Sequence, residues 1–449
     1  MKEAKDIGDS LAFLRYFERN SVPQDIINIV QEKSGSQSLD LKGKRFKEDE
    51  FKILAGIEPL YSFKNLDLGE TSLTTAGLKH LCLTPLFSSC EFLSLENNNL
   101  DDEGIFFLTK AAHLNKIRKL DLTSNEIGAL GCKVLGMAGN MPDLRELDLS
   151  YNRIEALGLK GLAESALGRQ LKVLKLRDVS IGDQGLEMLA DLEPLEQLEE
   201  LDLRDNSLKP EGLEALARSS VLPNLKRLDI SNNHLGDDGV YAIADSQMFS
   251  NLEELKMSWN GLTADSAISI AESKTLTRLK SLDLNNNDLK AEGARLLSKS
   301  PNMQFLETLD LGENQLNPEG VQALAKSKNF SKLLCLHLNN NNICDQGAIA
   351  LSTSKHLTRL EALHLEKDNW IHARGAKAIA QSNTLSNLKV LVLTLNQIGD
   401  EGARCFAEPN KLTRLEVLNV AGNRLTPAGE TSLQNSPILA KQLKLLELV

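Results

Sequence analysis

Of 449 residues 85 are leucine and only 4% are aromatic, so an apolar core must be built almost entirely from one aliphatic side chain. Length alone would suggest about three globular domains at roughly 150 residues each, but the leucine excess points to a repetitive architecture. Lys+Arg 51 against Asp+Glu 62 gives a net charge of −11, which disfavours nucleic acid and anionic membranes and favours a basic or mixed-charge protein partner.

The stretch Met1 to Ser10 is charged and lacks the apolar run of a secretory signal, and no 18-residue apolar run follows, so a soluble chain without a membrane span is expected. Cys82, Cys90, Cys132, Cys335, Cys344 and Cys405 form no C-x-x-C pair and no cluster, which fits a reducing compartment better than a disulfide framework. A cytoplasmic location is expected, or secretion into a host cell by a route that uses no signal peptide. Residues 1–36 set Leu11, Leu14 and Phe17, then Ile26, Ile27 and Val30, at helical spacing and are expected to form an N-terminal helical cap. Val22 to Val30 also resembles the opening helix of an F-box, the mark of a ubiquitin-ligase adaptor. Only eight residues separate Val30 from Leu39, too few for the remaining F-box helices.

From residue 37 to 449 the phrase L-x-x-L-x-L-x-x-N-x-L returns almost without interruption, as in Leu147-Asp-Leu149-Ser-Tyr-Asn152-Arg-Ile154. Its marker leucines are Leu39, Leu66, Leu93, Leu120, Leu147, Leu174, Leu201, Leu228, Leu255, Leu282, Leu309, Leu336 and Leu363, each 27 residues after the last, then Leu391, Leu418 and Leu446. Leu-x-Leu alternation puts both leucines on one face of a half-buried strand. The second half of each unit, such as Gly185-Leu-Glu-Met-Leu189-Ala190, reads as a short amphipathic helix.

Two further columns bear on stacking. Asn98, Asn125, Asn152, Asn206, Asn233, Asn260, Asn287, Asn314, Asn341, Asn369, Asn396 and Asn423 follow the strand leucines, with amides suited to backbone groups where the chain leaves the sheet. Glycine recurs from Gly77 to Gly429, with Ser266 in one repeat, and is expected to let each helix start approach the adjacent unit. The unit at Leu365-Glu-Lys-Asp-Asn-Trp-Ile371 carries one extra residue; if Asn369 keeps its ladder position, the bulge precedes it. The closing Leu443-Lys-Leu-Leu-Glu-Leu-Val449 has strand chemistry, and its open edge is expected to support a homodimer or be covered by a partner.

These phrases resemble the leucine-rich-repeat family over about residues 37–449, in particular its helix-containing, ribonuclease-inhibitor-like class, and the G-A-x-x-L-A signature is most similar to bacterial members. The resemblance implies an α/β solenoid of about 15–16 repeats, a horseshoe with a parallel β-sheet on its concave face and helices on its convex face. Strands repeating at about 4.8 Å under helices needing about 8–10 Å favour the same curvature. The implied function is a non-catalytic scaffold that binds a protein on the concave face, as an ordinary cytoplasmic protein or as a bacterial effector acting in a host cell. The alternatives are a regulator of a small GTPase, because GTPase-activating proteins of this repeat class exist, and a ubiquitin-ligase adaptor.

On that face the residue between the strand leucines forms a ladder: Asp121, Asp148, Lys175, Asp202, Asp229, Lys256, Asp283, Asp310, His337, His364, Val392 and Asn419. Each lysine is bracketed by aspartates, which relieves like-charge repulsion. The expected partner-binding residues are Tyr151, Arg177, Asp202, Arg204, Arg227, Lys256, Trp259, Asp283, His337, His364, Trp370, Val392 and Leu395. Tyr151 and Trp259 lead as anchors, since aromatic and arginine side chains are enriched at energetic hot spots. Trp370 either covers a neighbouring loop or meets a partner. Val390, Val392, Leu395 and Val417 would make an apolar patch that either a ligand covers or the final turns hide.

Cys335, His337, His364 and Glu366 are the one set with the side-chain types of a zinc site. Flat neighbouring strands rarely converge four ligands tetrahedrally, so neither a metal nor another cofactor is expected. Catalysis is not expected either: no phosphate-binding glycine loop, H-E-x-x-H or G-x-S-x-G is present in the sequence.

Overall fold

The computed structural model describes residues 37–57, 60 and 62–448, so the expected cap over 1–36, with its F-box-like stretch, lies outside the described residues. Leu-x-Leu alternation produces sixteen three-residue strands among the described residues. Each marker leucine is the central residue of its strand, and every one from Leu39 to Leu418 is buried.

The chain divides into two compact units, the first made of residues 37–207 and Ser219–Leu225. It contains β1 (Ser38–Asp40), β2 (Asn65–Asp67), β3 (Phe92–Ser94), β4 (Lys119–Asp121), β5 (Glu146–Asp148), β6 (Val173–Lys175) and β7 (Glu200–Asp202). These pair in parallel and in chain order, leucine on leucine, from Leu39 beside Leu66 to Leu174 beside Leu201. The second unit, Leu208–Arg218 with residues 226–448, holds β8 (Arg227–Asp229), β9 (Glu254–Lys256), β10 (Ser281–Asp283), β11 (Thr308–Asp310), β12 (Cys335–His337), β13 (Ala362–His364), β14 (Val390–Val392), β15 (Val417–Asn419) and β16 (Leu445–Glu447). They too are parallel and in order, from Leu228 beside Leu255 to Leu418 beside Leu446. In each unit short helices such as Gly182–Ala190 and Gly236–Asp245 bury one apolar face. Among the described residues no helix is long and apolar enough to cross a membrane.

The asparagine column explains the fixed period. Asn314 is fully buried, and its Nδ2 donates to the carbonyls of Leu284, Leu311 and Gly312 at 2.8, 3.3 and 2.8 Å. Its Oδ1 accepts from the Leu289 N–H at 3.2 Å. One amide therefore ties its own turn to the preceding repeat, and the next asparagine repeats the pattern: Asn341 Nδ2 donates to Leu311 O at 2.8 Å and its Oδ1 accepts from Leu316 N at 3.1 Å. Inserting a residue would break both bonds unless it bulged out between strand and asparagine. The longer unit does this: Asn369 still donates to Leu338 O at 2.8 Å, and the extra residue is absorbed at Lys367 and Asp368, both left-handed at φ 54° and 38°.

Packing onto the helix's own first turn, as well as onto the adjacent unit, accounts for the glycine column. A Cβ at Gly185 would lie 2.7 Å from Ile181 Cβ, four residues back in the same repeat, and one at Gly320 would meet Ala291 Cα of the adjacent repeat at 3.1 Å. Ser266 fits because the Asp237 carboxylate of the preceding repeat accepts from its backbone N–H at 3.1 Å and from its hydroxyl.

Candidate partner-binding surface

With the central leucines of β1 to β15 buried, the first and third residues of those strands lie on the opposite, open face. In the third position aspartate serves its own turn. Its Oδ1 accepts the N–H two residues on, as in Asp148 to Ser150 at 3.0 Å, Asp283 to Asn285 at 2.8 Å and Asp310 to Gly312 at 2.8 Å. The same bond recurs at Asp67, Asp121, Asp202 and Asp229. Much of the acidic ladder is therefore turn chemistry as well as surface charge.

In the first unit Asp202 is buried and its carboxylate accepts Arg204 Nε at 3.0 Å and the terminal NH2 at 2.6 Å, so Arg204 covers Asp202. Lys175 reaches Asp148 at 3.7 Å, as its bracketing predicts. Arg177 donates from Nε to Asp205 at 2.6 Å while its guanidinium lies 5.2 Å from the centre of the Tyr151 ring. Tyr151, 40% exposed, is thus held by an arginine that is itself held by a carboxylate.

In the second unit Arg227 and Lys256 are half-buried on β8 and β9. Burial opposes the charge on Lys256, but Glu254 at 2.6 Å, with Asp229 and Asp283 alongside, outweighs it and holds its pKa above the ordinary value. The nearest ion-pair partner is thus a glutamate on its own strand, with the bracketing aspartates secondary. Burial pushes Asp283 up to about 6 and raises Asp310, and the Asp310 charge adds to the cost of ionising Asp283 only as a secondary cause. Val390, Val392 and Val417 are half-buried and Leu395 is 54% exposed, lying over Gly422, so the apolar patch is partly open. Trp370, 45% exposed, stands beside the bulge in the longer unit.

The backbone of this surface carries a column with no marker in residue type. The second residue after each Leu-x-Leu pair adopts a left-handed conformation, as Asn232, Asn286 and Asn340 do at φ 54°, 51° and 49°. Asparagine and glycine suit that region, whereas bulky side chains pay about 1–2 kcal/mol. Tyr151, Trp259 and Leu395 occupy the same column at φ 58°, 57° and 57°, with Trp259 57% exposed. Strained and exposed large side chains are not explained by packing.

On β12 and β13, His337 and His364 are register partners whose rings stack with centroids 4.1 Å apart and planes 15° from parallel. Cys335 Sγ lies 3.1 Å from His337 Nε2, and one donor atom each of Cys335, His337 and His364 lie within 4.8 Å of one another. Glu366 stands off, its Oε2 3.8 Å from His364 Nδ1. Three of the four side chains therefore converge. Burial lowers the pKa of His337; it also lowers that of His364, where His337 adds to the effect and Glu366 opposes it.

All six cysteines are free. Burial pushes Cys82 and Cys90 up to about 12 and raises Cys132, so these three are inert packing residues. Sequence reading did not anticipate the exposed Leu130, Leu157 and Tyr241 on the helix side, because amphipathic spacing alone assigns no partner to a helix's outer face.

The Leucine Rich repeat family model matches this chain nine times, over residues 113–136, 140–163, 197–217, 221–244, 250–271, 275–298, 302–325, 331–352 and 384–407. The chain belongs to the leucine-rich-repeat proteins, and its ordered strand-helix units are the α/β solenoid of that family. No curated protein matches it. Similar solved structures include an internalin (inlF) from Listeria monocytogenes, at 20% identity and a TM-score of 0.45, with 90% of this chain and 94% of that one covered. Another is a TLR13–ssRNA13 complex, at 19% identity and a TM-score of 0.47, with 87% of this chain and 60% of that one covered.

Proposed function

We propose that this protein is a non-catalytic scaffold of the ribonuclease-inhibitor-like class that binds a basic or mixed-charge protein through the open face of its strands. The observation that carries the reading is the left-handed column: Tyr151, Trp259 and Leu395 sit exposed where backbone strain favours asparagine or glycine. A large side chain kept exposed there, where it brings the fold no net gain, is accounted for by contact with something else. Within each unit, turns tied together by buried asparagines lower the ordering cost of association, and the surrounding arginines, lysines and aspartates select the partner. The six free thiols support a reducing, cytoplasmic setting.

The test is crosslinking mass spectrometry in lysates of the source cell and of a eukaryotic host, which separates a cytoplasmic scaffold from a host-directed effector. Crosslinks from one partner should map to the strand-exit residues in wild-type protein and vanish in the Tyr151→Ala/Trp259→Ala double variant. Crosslinks confined to the helix side would refute the reading.

A further inference from the structure

The geometry points to a zinc site on the open face of β12 and β13, formed by the Cys335 thiolate and one ring nitrogen each of His337 and His364, with Glu366 orienting His364. Cys335 and His337 alternate on one strand and so share a face, and His337 is in register with His364 on the next. A tetrahedral zinc ion bound at about 2.3 Å to sulfur and 2.0–2.1 Å to nitrogen separates its ligand atoms by roughly 3.3–3.6 Å. Here the sulfur and the first imidazole nitrogen are already 3.1 Å apart, and all three donor atoms lie within 4.8 Å of one another. The remaining adjustment is rotation of near-parallel rings about their Cβ–Cγ bonds, which are soft torsions.

Two neighbouring carboxylates fit the same reading. Glu366 Oε2 is buried without a hydrogen-bond partner, and it lies 3.8 Å from His364 Nδ1. A short approach would let it accept the Nδ1–H and fix the tautomer that leaves Nε2 for the ion, the usual arrangement around zinc-bound histidine. Asp310 on β11 is the register partner of His337 and adds negative charge beside the site. Binding releases the Cys335 thiol proton to solvent. Three protein ligands leave one tetrahedral position open toward solvent on the strand face, where water or a partner side chain completes the shell.

The test uses full-length protein, purified with a chelator and a non-thiol reductant, then titrated with zinc alone and with cobalt(II) as a spectroscopic probe. Wild type should bind one equivalent, show the thiolate-to-cobalt charge-transfer band of a tetrahedral site, and melt at a higher temperature with zinc. Cys335→Ser should lose the charge-transfer band, and His364→Ala should lose the stoichiometric equivalent. Glu366→Gln should weaken binding by about 10–100-fold, and Cys344→Ser should leave it unchanged. Far-UV circular dichroism separates loss of the site from loss of the fold. Absence of a bound equivalent in wild type, or equal affinity in well-folded Cys335→Ser and His364→Ala, overturns the assignment.

Discussion

Replacing Asn314 tests the bond pattern that fixes the repeat. In Asn314→Ala the Leu289 N–H loses its acceptor at a buried helix start, while the Leu284, Leu311 and Gly312 carbonyls lose one donor each. Those carbonyls keep a second bond, from Asn287, Asn341 and the Asn286 N–H, so one orphaned donor dominates. An orphaned buried group costs about 1–3 kcal/mol, and the void left by the amide adds about 1 kcal/mol, for a total of about 2–4 kcal/mol. Asn314→Asp discriminates further. It keeps the shape and the acceptor but turns the donor that faces three carbonyls into a second oxygen, so it should destabilise more than alanine does. Urea unfolding followed by far-UV circular dichroism measures both, with exposed Asn383→Ala as a control expected within about 0.5 kcal/mol of wild type. An alanine variant within about 1 kcal/mol of wild type, the least an orphaned donor should cost, or an aspartate variant milder than alanine, would refute the ladder argument.

The remaining expectations address charge, strain and packing. Because burial lifts Asp283 to about 6 from 3.8, the fold binds its proton more tightly than the unfolded chain, so this stabilisation is full below about pH 3.8 and lost as the pH rises through 6. Asp283→Asn, neutral at every pH, should raise the unfolding free energy by about 1–3 kcal/mol at pH 7 and much less near pH 4; an equal gain at both would contradict the assignment to burial. Trp259→Asn trades about 1–2 kcal/mol of relieved backbone strain against a similar loss of partial burial, so its denaturation midpoint should stay close to wild type. A loss of about 3 kcal/mol or more in urea unfolding would make Trp259 a packing residue instead. Gly185→Ala drives a Cβ to 2.7 Å from Ile181 Cβ and should cost about 1–3 kcal/mol in the same assay, a neutral outcome being the contrary result.

Strand centres, asparagine positions and the inserted residue before Asn369 were legible in the sequence because each is a residue type recurring at a fixed interval. Leucine alternation identifies a buried face, and an amide at a turn identifies the backbone groups it must satisfy. The clustering of Cys335, His337 and His364 on one face was equally legible, since register follows once neighbouring leucines are paired. Side-chain pairing within the surface was not. Aspartate at the third strand position reads as surface charge, yet its carboxylate oxygen serves a backbone N–H two residues away, and Asp202 is covered by Arg204. The left-handed column escaped because Ser124, Tyr151, Asp178 and Trp259 share a backbone conformation but no side-chain chemistry.

Titration calorimetry of the crosslinked partner against two matched variants locates recognition on one side of the repeats or the other. One variant removes the strand-exit anchors, Tyr151→Ala/Trp259→Ala, and the other removes exposed apolar groups from the helix side, Leu157→Ala/Tyr241→Ala. Recognition by the strand exits should give at least a ~30-fold loss of affinity in the first variant, from about 2 kcal/mol or more at hot spots, and wild-type affinity in the second. The reverse pattern would place recognition on the helices and contradict the proposed function.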